Sequence, residues 1–246
     1  MHLLDLLFPK VCLGCGKFGS YICPRCSSGI RIIEPSKGKC PVCEKPAIDG
    51  ITHPHCRTKY SIDGLTSFFR YDGVIKTAIK QIKYRYAFDI VKDLIHRIPD
   101  SSFDFFPLLR IKNYEPRRRQ GFGGQVGTMY LLPIPLHPSR YRDRGFNQAE
   151  IIAQALGKRM QIPVHTDVLI RIKKTVPQVA MKDREKRLAN MKNVFAIKDD
   201  STMLRCNDIT ILLVDDVFTT GATLRSAASV LKHAGVKAVW GITIAQ

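Results

Sequence analysis

The chain has 246 residues, 45% of them hydrophobic, enough for one medium domain and a small one around an ordinary buried core. A formal charge of +18 at pH 7 points to polyanionic partners: phosphate compounds, nucleic acid or an anionic surface. No apolar run approaches the roughly 18 residues of a membrane-spanning helix, so no membrane span is expected.

The opening "MHLLDLLFPK" carries Asp5 and lacks a small-residue cleavage site. A short helix ending at Pro9 is expected there, not a signal peptide, and a cytoplasmic protein follows as the default.

Seven of the eight cysteines precede residue 57, as Cys12-x2-Cys15, Cys23-x2-Cys26, Cys40-x2-Cys43 and finally His53-x2-Cys56. Thiolates two residues apart can point at one ion, and a second pair completes a tetrahedron, so this spacing predicts two zinc knuckle pairs. A disulfide framework is the competing explanation, and it fits poorly with a reducing compartment. Sequential pairing gives Cys12, Cys15, Cys23 and Cys26 to one Zn2+ and Cys40, Cys43, His53 and Cys56 to the other; an interleaved pairing stays open. His55 competes with His53, which is favoured because it restores the two-residue spacing. Four protein ligands leave no open position, so both ions are expected to be structural. Two such sites would lower the net charge to about +15. Cys206 stands alone as a simple thiol.

A shift in composition near Tyr60 and Gly64 divides the chain into a ribbon domain, 1–60, and a larger domain, 61–246. "DGVIKTAIKQIKYRYAFDIVKDLIHRI" reads as one or two helices, apolar at Val74, Ile75, Ala78, Ile79 and Ile82. The opposite face carries Lys76, Lys80, Lys83 and Arg85 beside Tyr84 and Tyr86, either a solvated surface or a stacking, cationic contact for nucleic acid. The stretch 107–125 is a basic insertion containing Arg117, Arg118 and Arg119, to which no role is assigned. Its glycines do not form GxGxxG, which argues against a dinucleotide site.

In "MYLLPIPLHPSRYRDRGFNQAEIIAQAL" an apolar strand ends at the prolines and a helix starts near Asn147. Arg140, Arg142 and Arg144 lie between, in what reads as a rigid loop. Guanidinium groups there would suit a diphosphate, though a basic surface turn is the plain alternative. "RIKKTVPQVAMKDREKRLANMKNVF" is polar and weakly periodic, a surface segment or a cationic lid.

The segment "ILLVDDVFTTGAT", 211–223, is the most informative. Four apolar residues bounded by turn residues predict a fully buried strand. Asp215 and Asp216 then fall at its carboxyl end, where open α/β sheets bind ligands. A helix with apolar Ala222, Leu224, Ala227, Ala228, Val230 and Leu231 follows, with Gly235 as its stop. The turn 219–223 opens that helix, where backbone N–H groups favour a phosphate. Acids beside a phosphate cradle suggest a phosphorylated sugar. No Gly-Lys-Ser/Thr follows, which excludes a P-loop.

These segments together resemble the ComF/GntX family of type I phosphoribosyltransferase-like proteins. "ILLVDDVFTTGAT" is similar to the phosphoribosyl-pyrophosphate signature at every defining position, and "PIPLHPSRYRDRGFNQAE" resembles the family's RGFNQ segment. The cysteine-rich start resembles its double zinc ribbon, with His53 where the family usually has Cys. "RIKKTVPQ" onward resembles the loop that would carry Thr175, Gln178, Arg187 and Asn190.

The resemblance implies an α/β fold, a parallel sheet flanked by helices with a small amino-terminal zinc-ribbon domain. It implies that Asp215 and Asp216 hold the ribose hydroxyls of phosphoribosyl pyrophosphate. Thr219, Thr220 and Thr223, with the amides of the turn through Gly221 and Ala222, would take the 5-phosphate. Mg2+ would accompany the pyrophosphate, keeping several waters, with Arg140 and Arg144 on the pyrophosphate side. Any turnover would displace pyrophosphate at the anomeric carbon, catalysed by positioning and charge stabilisation.

Three functions remain open at this level: a DNA-uptake factor contacting single-stranded DNA and other uptake proteins, a metabolic phosphoribosyltransferase with a small nitrogenous acceptor, and a non-catalytic ligand sensor.

Overall fold

A computed structural model describes residues 9–84, 87–103, 128–173, 194–198 and 209–246. The helix expected before Pro9, the insertion 107–125, Arg85, Tyr86, Cys206, Thr175, Gln178, Arg187 and Asn190 lie outside the described residues.

Four parallel strands carry the larger part of the chain: β1 (Gly64–Phe69), β2 (Thr128–Pro133), β5 (Ile209–Val217) and β6 (Ala238–Ala245), in the order β1-β6-β5-β2. A separate antiparallel pair joins β3 (Leu169–Arg171) to β4 (Phe195–Ile197). The expectation of a parallel sheet flanked by helices is met.

β5 sits between β2 and β6, and Ile211, Leu212, Leu213 and Val214 are fully buried. That is why this strand reads as an unbroken apolar run instead of an alternating one. Successive side chains still alternate between faces. Leu212 and Val214 join the core with Ile75, Leu94, Leu156 and Ile242. Ile211 and Leu213 join the opposite core with Leu224, Phe218 and Val239. Each fully buried Leu or Ile contributes about 1.5–3 kcal/mol, so two such layers dominate the stability of this sheet.

The helices supply the covers. The expected helical stretch after the ribbon divides into α2 (Gly73–Gln81) and α3 (Ala87–His96), burying Val74, Ile75, Ala78, Ile79 and then Ile90, Val91, Leu94. α5 (Gln148–Met160) is capped by Asn147, whose side chain accepts from the Ala149 amide. α6 (Ala222–His233) buries Ala222, Leu224, Ala227, Ala228 and Leu231, while Val230 is only half-buried.

One local expectation is corrected. The segment expected as a rigid loop between strand and helix contains α4 (Pro138–Arg144). Pro138 occupies the first turn, where its missing N–H costs nothing, and the His137 side chain accepts from the Ser139 amide. Gly145, with φ 81°, closes the helix by donating its N–H to Tyr141 O.

At the amino end lie a short helix, α1 (Pro24–Ser27), and two knuckles with the same backbone pattern. Cys12 N donates to Lys17 O and Gly16 N to Cys12 O; Cys40 N donates to Lys45 O and Glu44 N to Cys40 O, all at 2.8–2.9 Å. Arg97 on the turn after α3 ties the first half down, donating to Ile22 O at 2.9 Å and Ser27 Oγ at 2.7 Å.

Candidate functional site

The pleat of β5 separates the two acids. Asp215 continues the face of Ile211 and Leu213, whereas Asp216 continues the face of Leu212 and Val214. Each therefore meets different neighbours at the carboxyl end of the sheet. Lys83 Nζ lies 4.0 Å from Asp216 Oδ2. Burial and then the Asp216 charge raise the Tyr71 pKa; the Asp216 charge opposes the burial that lowers Arg144, and the Asp215 charge does the same for Arg171 at the end of β3.

Burial pushes the Asp215 carboxyl up to about 8, and the charge of Asp216 adds to it. The Asp216 N–H bond to Asp215 Oδ1, 2.9 Å, and the nearby Arg171 oppose the rise. Two acids on adjacent residues cannot both ionise freely in this setting without added positive charge or hydroxyl donors. Asp216 Oδ1 accepts from the Val217 amide at 2.8 Å, which holds its carboxylate at the strand end.

Cations flank the acids. Burial lowers Arg144 and Arg171, and the charge of Arg140 lowers both further, so these three guanidinium groups share one field. Arg144 and Arg171 remain charged near neutrality. Arg140 and Arg144 come from α4, whose position is set by Asn147: its Nδ2 donates to Ile134 O at 3.0 Å, bridging the two ends of the α4 segment. Arg171 lies over the Phe195 ring, 5.5 Å from the centroid.

Behind the acids the chain turns through Thr219 and Thr220 into Gly221, the cap of α6. Gly221 adopts φ 68°, a left-handed conformation that favours glycine. A methyl group there would also lie 2.5 Å from the Phe218 ring and 2.8 Å from Pro41 O. Thr219 is exposed, Thr223 half-buried, and Gly221 and Ala222 are buried. The Thr220 hydroxyl is buried with no hydrogen-bond partner among the described residues. An unsatisfied hydroxyl costs about 1–3 kcal/mol, and a ligand oxygen at this turn would satisfy it.

Lys83, Tyr71 and Arg171 join the site although no motif marks them in the sequence. Lys83 was expected on a solvated or nucleic-acid-facing helix surface, and Arg171 in a surface segment or lid. Helical spacing and basic composition describe a residue's own element; neither says which strand end that element crosses.

The ribbon holds two further clusters. Donor atoms of Cys12, Cys15, Cys23 and Cys26 lie within 4.8 Å of one another, as do those of Cys40, Cys43, His53 and Cys56. The grouping is sequential, not interleaved. His53 Nδ1 is 3.3 Å from Cys43 Sγ, and His53 Nε2 donates to Pro46 O at 3.0 Å. Nδ1 points at the thiols while Nε2 is held by a backbone carbonyl, the outer-shell arrangement of a metal-binding imidazole. His55 stacks on His53 with centroids 5.2 Å apart, outside the donor group.

Desolvation, then the neighbouring thiols, push Cys26 up to about 12 and Cys56 to about 11. Crowded thiols resist joint ionisation, and a divalent cation reverses that resistance. Four sulfurs, or three and an imidazole, at tetrahedral separation fit structural Zn2+.

Comparison with known proteins agrees with this arrangement. A family model described as a double zinc ribbon domain matches residues 3–58. Competence protein F of Haemophilus influenzae is 34% identical over 117 residues, 46% of this chain and 48% of that protein, so the chain spans about half of this relative's length. Competence protein ComFC of Bacillus subtilis is 28% identical over 238 residues, 94% of this chain and 82% of the relative. The DNA utilization protein YhgH of Escherichia coli (strain K12) is 26% identical over 246 residues, covering 95% and 96%. Among the described residues no helix is long and apolar enough to cross a membrane. A ribbon match at residues 3–58 and likeness to ComFC and YhgH over 94–95% of the chain together support a ComF-family protein.

Proposed function

We propose that this chain is a cytoplasmic DNA-uptake protein that binds phosphoribosyl pyrophosphate with Mg2+ and contacts single-stranded DNA. In this reading residues 1–60 form the ribbon unit and 61–246 the sugar-phosphate unit. The names of the relatives, two competence proteins and a DNA utilization protein, support the role in DNA uptake. The net charge of +18 supports a polyanionic partner.

The observation that carries the ligand assignment is the adjacency of the acid pair to a left-handed glycine turn whose buried Thr220 hydroxyl has no partner among the described residues. Asp215 and Asp216 accept from the ribose hydroxyls. The hydroxyls of Thr219, Thr220 and Thr223 and the amides of Gly221 and Ala222 take the 5-phosphate. Arg140 and Arg144 face the pyrophosphate, and Lys83 and Arg171 extend the same positive field. Hard carboxylate and phosphate oxygens suit Mg2+, which supplies charge neutralisation at the pyrophosphate. If an acceptor is bound, the cations stabilise departing pyrophosphate while the acids hold the ribose in place.

The test is thermal melting with and without phosphoribosyl pyrophosphate and Mg2+, on wild type and on the double variant Asp215→Asn/Asp216→Asn. Ligand at about 100 times its Kd stabilises by about 2.7 kcal/mol. A rise in Tm for wild type alone is expected; equal responses, or none, defeat the assignment. Pyrophosphate released with one defined base and no DNA would mark a metabolic transferase instead.

A further inference from the structure

The phosphate turn is built partly on the zinc ribbon. Arg225, one turn into α6, donates from Nη1 to Pro41 O at 2.9 Å and to Val42 O at 3.0 Å. Pro41 and Val42 are the two residues between Cys40 and Cys43, the span of the second knuckle. The Arg225 amide in turn donates to Gly221 O at 2.9 Å. Pro41 O also faces Gly221 so closely that a methyl on Gly221 would lie 2.8 Å from it. Val42 packs against the core layer that holds Phe218, Ala222 and Leu224. Knuckle, glycine turn and first turn of α6 therefore share one contact surface.

The first knuckle is docked elsewhere. Its anchor is Arg97, which reaches Ile22 O, Ser27 Oγ and the Asp93 carboxylate. Leu13, Tyr21 and Cys26 pack on the layer of α2 and α3. Two arginines thus hold the two halves of the ribbon, and only Arg225 belongs to the helix that the glycine turn opens.

A charge-assisted pair of bonds to two carbonyls holds its partners only while those carbonyls keep their direction. Cys40 and Cys43 flank the carbonyls on both sides, so a zinc ion held by these thiolates would fix that direction. We propose that the second zinc site, through the Arg225 clamp on Pro41 and Val42, positions the sugar-phosphate turn, so that zinc occupancy there sets phosphate affinity while the first zinc site does not. Arg225 is a positioning residue in this scheme. The affinity half of the statement rests on the ligand assignment made above; the positioning half does not.

The experiment compares wild type, Arg225→Met and Arg97→Met, each loaded with zinc and confirmed folded by circular dichroism. Hydrogen exchange is read at the amides of residues 220–224, and calorimetry reads binding of phosphoribosyl pyrophosphate with Mg2+. Methionine keeps the aliphatic bulk and removes the donors. Arg225→Met is expected to speed exchange at those amides about tenfold and to weaken the ligand by a similar factor, as loss of a charged hydrogen bond implies. Arg97→Met should leave both readouts within about twofold of wild type. Partial zinc removal supplies a second route: wild type stripped to one ion per chain, with cysteine labelling to identify the emptied site, should lose protection at the turn only when the second site is empty.

Unchanged exchange at the turn in Arg225→Met, or equal effects from the two arginine variants, overturns the proposal. If Arg225→Met does not fold, the stripped wild type decides alone, by the same criterion. If wild type fails to bind the ligand while the exchange pattern holds, the ligand assignment falls and the zinc-dependent positioning of the turn stands.

Discussion

Lys83 and Asp216 stand 4.0 Å apart, ammonium to carboxylate, with the lysine side chain 36% and the aspartate 21% exposed. The pair forms because the even-numbered residues of β5 face α2, and the backbone leaving α2 crosses the strand's carboxyl end. Asp215, one residue earlier, faces the other way and meets Arg171 instead.

A part-exposed ion pair of this kind contributes about 0.2–1 kcal/mol to stability. Lys83→Met should therefore change unfolding free energy by less than about 1 kcal/mol, while weakening phosphoribosyl pyrophosphate by about tenfold through loss of a cation beside the proposed ligand site. Urea melts and calorimetry on the same variant separate the two. A large stability loss with unchanged affinity would make Lys83 structural only.

Asp215 gives a pH prediction. Its folded pKa, about 8, lies above the ordinary value of 3.8, so the fold favours the protonated acid. The stabilisation is complete below the ordinary range and drains away as pH rises towards 8. Asp215→Asn mimics the neutral acid at every pH. Between about pH 5 and about pH 9, wild type should lose about 1–3 kcal/mol relative to the variant, less than the full shift implies because solvent at the strand end screens the carboxylate. Parallel stability profiles in urea would contradict this.

His53→Ala should reduce bound zinc from about two ions per chain to about one, whereas His55→Ala should leave about two, because only His53 joins the thiol group. Elemental analysis of purified protein reads the count directly. Retention of both ions in His53→Ala would show that His55 can replace it.

Gly221→Ala meets two penalties at once, a left-handed φ of 68° and contacts of 2.5 Å and 2.8 Å with Phe218 and Pro41. A cost of about 2–4 kcal/mol follows, from about 1–2 for the backbone and the remainder for displaced neighbours. A Tm within one or two degrees of wild type would mean that turn and knuckle separate readily.

Binding to single-stranded DNA should fall with salt, with a log–log slope of about −0.7 for each phosphate neutralised. Fluorescence anisotropy across a salt series gives the slope. Salt-insensitive binding, or none at low salt, removes the DNA contact from the proposed function.

Several features of this protein are legible in its sequence because they are local. The buried strand before Asp215 and Asp216, the helix after Gly221 and the thiol spacing all depend on residues a few positions apart, where pleat, helical turn and knuckle geometry act. Even His53 was favoured over His55 by spacing alone. The short helix α4 is legible as well: Pro138 and Gly145 are its start and stop signals, with the arginines lying between them.

What tertiary structure alone decided is who stands opposite whom. The pleat puts adjacent acids on opposite faces, but only the packing of α2 and β3 brings Lys83 to one and Arg171 to the other. Gly221 reads as a phosphate-loop glycine, yet the carbonyl of Pro41 also demands it, from a knuckle far away in the chain. Local sequence encodes torsions and periodicities; the partners across a sheet end depend on the summed burial of many distant residues, which no short window contains.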